Sequence, residues 1–294
     1  MNSASAAANA LAFAPPGDEP QREFAFSDAD FKHLAQVAYD YAGIALSESK
    51  RNLLYSRLSR RLRQLGLPSF KEYRALLDGD RKEIENFINS ISTNHTKFFR
   101  EAHHFDHLRA QVILPFAQRL KTGGPRRLRI WSAGCSSGEE PYTIAAVLAR
   151  EIVDTARHDI RILATDIDTD VLARAANGQF AAAAIDDVPK VYTSFFQPDK
   201  GDAGKLVISE EARALIAFRR LNLMEDWPFS GLFDAIFCRN VMIYFDAATK
   251  ARLIERFTRH LRPDGWLYIG HSESLIGTHP GLQSVGRTIY RRTA

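Results

Sequence analysis

The chain has 294 residues, 45% hydrophobic and 25% charged, the mix of a soluble globular protein with one large or two modest domains. No apolar run approaches the roughly 18 residues of a membrane span, so membrane insertion is not expected. A net charge of +4 suits an acidic partner without requiring nucleic acid, and Cys135 and Cys238 are too few for a disulfide framework, so a reducing cytoplasm is the expected compartment.

Residues 1–22 are rich in Ala, Ser, Asn, Pro and Gly and lack both a basic start and a sustained apolar core. They read as a disordered leader and not as a signal peptide. Residues 23–92 read as a small all-α domain. Ser27 is expected to cap a first helix carrying Phe31, Leu34 and Val37, which Gly43 ends. Ser47 is expected to cap a second, SESKRNLLYSRLSRRLRQLG, which Gly66 ends. A helical turn of about 100° per residue puts Lys50, Arg57 and Arg61 on one face, widened by Arg60 and Arg63. Leu54, Leu58, Leu62 and Leu65 form the neighbouring apolar stripe. The basic face reads either as a solvated surface or as a docking surface for something anionic. A membrane suits it less, because the stripe is needed for the domain's own core. Ser69 and Glu72 have capping-box spacing for a third helix, and Glu83 to Ile91 gives a fourth. His103 and His107 lie at i, i+4, but with no intervening Glu and no third ligand they predict no metal.

From residue 93 to 294 the character changes. After the turn signal at Gly123-Gly124-Pro125, strands are predicted at Leu128–Ser132, Asp159–Thr165, Ile216–Asn222, Phe233–Cys238 and Trp266–Gly270. Helices are predicted at Pro141–Val153, Val171–Asn177 and Ala247–Leu261, and Arg262-Pro263-Asp264-Gly265 as a turn. The alternation predicts an α/β fold with a doubly wound, mostly parallel sheet, whose ligand site lies at the carboxyl ends of the strands. Residues 180–215 are expected to insert a small antiparallel unit, with turns at Pro198–Gly201 and Gly204. Cys135 and Cys238, at the ends of strands expected to be neighbours, are expected to line one pocket.

The first strand runs into WSAGCSSGEEPY, Trp131 to Tyr142. Gly134 and Gly138 allow a sharp turn and close approach to a ligand. Glu139 and Glu140 occupy the helix mouth where a phosphate would otherwise sit, and they would repel one. A nucleoside carrying positive charge and no phosphate suits this loop, and S-adenosylmethionine is such a ligand. Asp166, about thirty residues past Gly134, ends the second strand where an acid accepts ribose hydroxyls, while Asp168 reads as a helix cap.

STNHTKFFRE at Ser92–Glu101, WSAGCSSGEEPY, ATDID at Ala164–Asp168, FDAIFCRNVMIYFD at Phe233–Asp246 and GHSESL at Gly270–Leu275 follow in order. Together they resemble the motifs of the chemotaxis receptor glutamate O-methyltransferases, the CheR family, and the resemblance covers nearly everything from Phe24 onward. It implies the class I S-adenosylmethionine-dependent methyltransferase fold and methyl transfer to glutamates on a receptor's acidic helical stalk, with S-adenosylhomocysteine as product. By motif, it implies cofactor contacts from Asn94, Thr96 and Arg100, the ammonium at Glu140, the ribose at Asp166, and adenine near Asn222 and Leu223. Cys238, Arg239 and Asn240 should line the pocket, and Arg100 and Tyr244 should face the methyl group and the incoming carboxylate. Lys50, Arg57, Arg60 and Arg61 become the expected stalk-docking set, and the insertion a site for a receptor's C-terminal peptide. The competing readings are a non-catalytic S-adenosylmethionine sensor and a methyltransferase for nucleic acid or a small acceptor. Intact Arg100, Asn240 and Tyr244 favour the enzyme, and the lack of an N-P-P-Y-type motif after FDAIFC disfavours amine methylation.

Overall fold

The computed structural model describes residues 22–124, 126–273, 275 and 280–293. The leader up to residue 21 and Ser274 of GHSESL lie outside the described residues. Among the described residues four helices come first: α1 (Asp28–Ala42), α2 (Arg51–Leu65), α3 (Phe70–Gly79) and α4 (Arg81–Ile91). Ser27 caps α1 in a reciprocal box with Asp30, and Gly43 and Gly66 end α1 and α2 in the left-handed conformation. Ser47 departs from expectation. Its hydroxyl meets Ser49 Oγ at 2.8 Å, and a short 3₁₀ turn over Glu48–Lys50 precedes α2 proper. Leu54, Leu58 and Leu62 are buried with Phe31, Leu34, Phe70, Tyr73 and Phe87 in a core of their own. Each such buried side chain stabilises the fold by roughly 1.5–3 kcal/mol relative to exposure.

Two further helices, α5 (His103–Leu108) and α6 (Leu114–Lys121), are joined by a π-helical stretch over Arg109–Ile113. Pro115 follows this stretch with no N–H to donate, which weakens regular α pairing there. Neither helix is among those expected from the sequence.

The rest alternates: β1 (Arg127–Ala133), α7 (Glu139–Glu151), β2 (Asp159–Asp166), α8 (Thr169–Asn177), β3 (Gln179–Ala181), β4 (Phe196–Pro198), β5 (Lys205–Ile208), α9 (Glu210–Ala214), β6 (Ile216–Arg220), β7 (Phe233–Cys238), α10 (Ala247–His260), β8 (Leu261–Ile269), β9 (Leu282–Gly286) and β10 (Ile289–Arg292). The seven-stranded sheet has the order β6-β2-β1-β7-β8-β10-β9. Its first five strands are parallel, and β10 and β9 pair antiparallel. Strand β1 is buried almost throughout, as a central parallel strand covered on both faces should be. The strands β3, β5 and β4 form the separate three-stranded antiparallel sheet that the insertion predicted. The Arg262–Gly265 turn lies inside β8, with Asp264 at φ 62 and a register shift against β7. The β9–β10 hairpin was missed.

Side-chain and backbone bonds tie the helical unit to the sheet. Tyr39 donates to Asp246 at 2.7 Å, Ala45 N–H to the Tyr244 carbonyl at 2.9 Å, and Asn89 to Thr169 at 2.9 Å. These bonds hold the α1–α2 loop over the carboxyl ends of β1, β2 and β7.

Candidate active site

A cavity of about 480 Å³ lies beneath that loop, within the range of small-molecule sites. Gly134 turns the chain out of β1 at φ 83, and a Cβ there would overlap the Val241 side chain. The N–H groups of Gly134 and Cys135 both donate to the Thr165 carbonyl, at 2.7 and 2.9 Å, which locks the turn against β2. Ser136 N–H donates to Asp166 Oδ2 at 2.8 Å, and Asp168 N–H to Asp166 Oδ1 at 3.0 Å. Burial pushes the Asp166 carboxyl up to about 6 despite these donors. Asp168 caps α8 by accepting from Asp170 and Val171, and its second oxygen takes the Asn94 amide at 2.6 Å.

Glu140, buried in the first turn of α7, accepts Ser132 Oγ–H at 2.7 Å and Arg239 Nη1–H at 2.9 Å. Burial raises its carboxyl while Arg239 and Ser132 oppose the rise. Arg239 is itself buried, donates through Nη2 to the Arg100 carbonyl, and approaches Glu101 Oε2 at 3.4 Å. Phe98 packs against Phe180 and Phe196, and Phe99 against Tyr192, so the two rings anchor the segment. Phe99 and Glu101 then take left-handed φ values of 53 and 56 on either side of half-buried Arg100. Non-glycine residues hold that conformation only where their surroundings demand it. The kink leaves Arg100 in the cavity wall, with Nη1 3.0 Å from the His95 carbonyl.

Asn94, Thr96, Arg100, Gly134, Glu140, Asp166, Asn222, Leu223, Arg239, Asn240 and Tyr244 all border this one cavity. Cys238 does not. Alternation along β7 puts it with Ile236 in the core under α10, one residue short of the cavity, while Cys135 does reach the wall. Burial raises both thiols well above their ordinary range, so neither is a reactive thiolate. Tyr244 is no plain core residue: its ring is half-buried, and its hydroxyl donates to the Thr93 carbonyl at 3.2 Å. Asn222 spends its amide on the Tyr41 carbonyl at 2.6 Å and on Met224 N–H at 3.0 Å, joining the two units at the cavity edge.

The basic face of α2 is less free than helical spacing suggests. Arg61 makes two bonds to buried Glu83, at 2.9 and 2.5 Å. Arg57 donates to the Ile91 and Ser92 carbonyls and to Thr93 Oγ1, closing the end of α4 and the linker. Both make bonds within the fold. Lys50 and Arg60 are exposed, Lys50 at the cavity mouth. Among the described residues no group of three or more His, Cys, Asp or Glu is placed to hold a metal, and no helix is long and apolar enough to cross a membrane. His107 meets the Tyr268 hydroxyl at 3.0 Å, and His103 the Arg287 carbonyl at 3.2 Å.

Two acids went unread. Glu273 accepts the N–H groups of Asn240 and Gly270, both at 2.7 Å, and of Ile243 at 3.0 Å, shaping the loop after β7. A Cβ at Gly270 would lie 2.6 Å from that carboxylate. Glu101 braces Arg239. Their presence in GHSESL and FFRE was the available signal.

Residues 94–290 match the family described as CheR methyltransferase, SAM binding domain, and residues 29–92 the CheR methyltransferase, all-alpha domain. The chain is 44% identical over 272 residues to chemotaxis protein methyltransferase 2 of Pseudomonas aeruginosa, spanning 92% of this chain and 95% of that one. It is 43% identical over 265 residues to a probable chemotaxis protein methyltransferase of Rhizobium etli, spanning 87% and 97%. To the chemotaxis protein methyltransferase of Escherichia coli it is 41% identical over 271 residues, spanning 90% and 91%.

Proposed function

The chain belongs to the CheR methyltransferase family, and we propose that it methylates glutamate side chains of chemoreceptors in the cytoplasm, releasing S-adenosylhomocysteine. It is an S-adenosylmethionine-dependent methyltransferase, not a cofactor sensor. The observation that carries the reading is a single cavity where the Gly134 turn, the acids Glu140 and Asp166, and Arg100 converge beneath the helical unit.

The residues present fit S-adenosylmethionine. Glycine at position 134, where a Cβ would overlap Val241, lets the turn lie tight in the cavity wall, and two carboxylates border the cavity where a phosphate would be repelled. Glu140 takes the ammonium group and Asp166 the ribose hydroxyls; Asn222 and Leu223 border the adenine; Asn94, Thr96, Asn240 and Arg239 complete the walls. When bound, S-adenosylmethionine supplies a methyl group activated by its sulfonium. The acceptor glutamate is already ionised at neutral pH, with a reference pKa of about 4.3, so this chain has no proton to remove. Its own residues position the acceptor and exclude water. Arg100 holds the incoming carboxylate obliquely, since a tight two-pronged pair would blunt its nucleophilicity, and Tyr244 also faces the acceptor from the cavity wall. Lys50 at the cavity mouth and exposed Arg60 elsewhere on α2 meet the acidic receptor stalk and raise the association rate. The three-stranded sheet offers edges on which a receptor's C-terminal peptide can add as a strand.

The test is labelled methyl transfer to receptor cytoplasmic fragments. Label should enter wild-type fragments and vanish on Glu→Gln change at the accepting sites, and its rate should fall as salt rises. Label that persists in the Gln fragments would overturn the reading.

Ribose hydroxyls donate to Asp166, so cofactor binding favours its ionised form. Burial holds its proton on below about pH 6, and protons therefore compete with the cofactor there. Affinity measured by calorimetry should fall as pH drops through 6 and level off above about 7. Asp166→Asn should bind weakly without that dependence, and an identical profile in the variant would remove Asp166 from the ribose.

A further inference from the structure

Arg239 lies in the cavity wall with its side chain 3% exposed, Nη1 2.9 Å from Glu140 Oε2 and Nη2 3.4 Å from Glu101 Oε2. A guanidinium paired with Glu140 alone would cancel that carboxylate's charge. A neutral buried pair retains little attraction for a third ion.

Glu101 changes the sum. Its Oε1 accepts His271 N–H at 3.3 Å and meets His271 Nδ1 at 3.2 Å, which leaves Oε2 turned to Arg239. Burial alone would raise the Glu101 carboxyl, but Arg239 and the His271 donors bring it below the usual carboxylate range. His104, 3.4 Å from Oε2, adds no positive charge, because burial pushes its imidazole down to about 3. Two carboxylates against one guanidinium leave the buried cluster net negative. Glu101 is absent from the cavity lining, so any effect on a ligand passes through its neighbours.

We propose that Glu101 is a positioning residue for the cofactor: by sharing Arg239 it keeps Glu140 electrically available to the ligand's ammonium group. The inference rests on Glu140 as the ammonium acceptor. The left-handed backbone at Glu101, φ 56, is consistent with a residue held in place for what its carboxylate does.

Calorimetry on the full chain tests this with two ligands, S-adenosylhomocysteine and its deaminated analogue, which differ only at the ammonium. The wild type should prefer S-adenosylhomocysteine. Glu101→Gln should shrink that preference roughly tenfold while affinity for the deaminated analogue stays within about twofold. Glu101→Asp, which keeps the charge, should retain most of the preference. Equal losses for both ligands in Glu101→Gln would make Glu101 only a brace of the fold and overturn the proposal, as would an unchanged preference. Should the glutamine variant not fold, the aspartate variant decides, and loss of preference despite the retained charge overturns the idea. A wild type that fails to distinguish the two ligands would instead refute Glu140 as the ammonium acceptor.

Discussion

Replacing Arg100 with alanine should lower the rate of methyl transfer roughly hundredfold while leaving the fold intact. The anchoring rings of Phe98 and Phe99 and the Arg239 bond to the Arg100 carbonyl survive the change, because none uses the Arg100 side chain. Among the described residues that side chain makes one bond, to the His95 carbonyl at 3.0 Å. A half-buried group with so little internal anchorage should shift the melting temperature by no more than about 2 °C. What is lost is alignment of the incoming carboxylate with the activated methyl. Arg100→Lys restores a point charge without the planar fork and should recover only part of the rate. Single-turnover transfer with saturating cofactor separates this loss from binding, and near wild-type turnover in Arg100→Ala would exclude Arg100 from the reaction.

Gly134→Ala should raise the dissociation constant for S-adenosylhomocysteine about a hundredfold or more. Two independent penalties act. An L-residue at φ 83 costs roughly 1–2 kcal/mol. The new methyl also overlaps Val241, whose loop is pinned by Glu273 through the flanking Asn240 and Ile243 N–H groups. The turn cannot retreat either, because Thr165 accepts the N–H groups of both Gly134 and Cys135. Relief must displace the loop after β7, whose residues Asn240, Val241 and Ile243 border the cavity. Pairing the change with Val241→Ala should remove the clash and keep the backbone strain, so affinity should return only in part. Unaltered affinity in Gly134→Ala would show that close approach at this turn is not needed.

The parts legible beforehand share a local cause. The strand–turn–helix at Trp131–Tyr142, the acid closing β2 and the Asp168 cap follow from periodicity, glycine placement and capping chemistry, each acting over a few residues. The β9–β10 hairpin escaped because Arg287 and Thr288 occupy its left-handed turn, where Asn-Gly would have signalled it. Helical spacing put Arg57 and Arg61 on one face, yet it carries no information about what packs there. Glu83 and the carbonyls ending α4 do, and they give the expected docking cations Arg57 and Arg61 bonds within the fold. Cys238 was misplaced through a one-residue matter of strand alternation.

By itself, then, the amino-acid order determined most of the element types, the parallel α/β architecture and the acids at the mouth of α7 and the end of β2, while the family resemblance supplied the other expected site residues. Only the tertiary structure decided which of those charges stay available. Glu140 and Arg239 lie 99 residues apart and bond at 2.9 Å, and Glu101 joins them from a separate turn. Charge compensation depends on distance in space and on burial, and neither quantity is encoded in the spacing of residues along the chain.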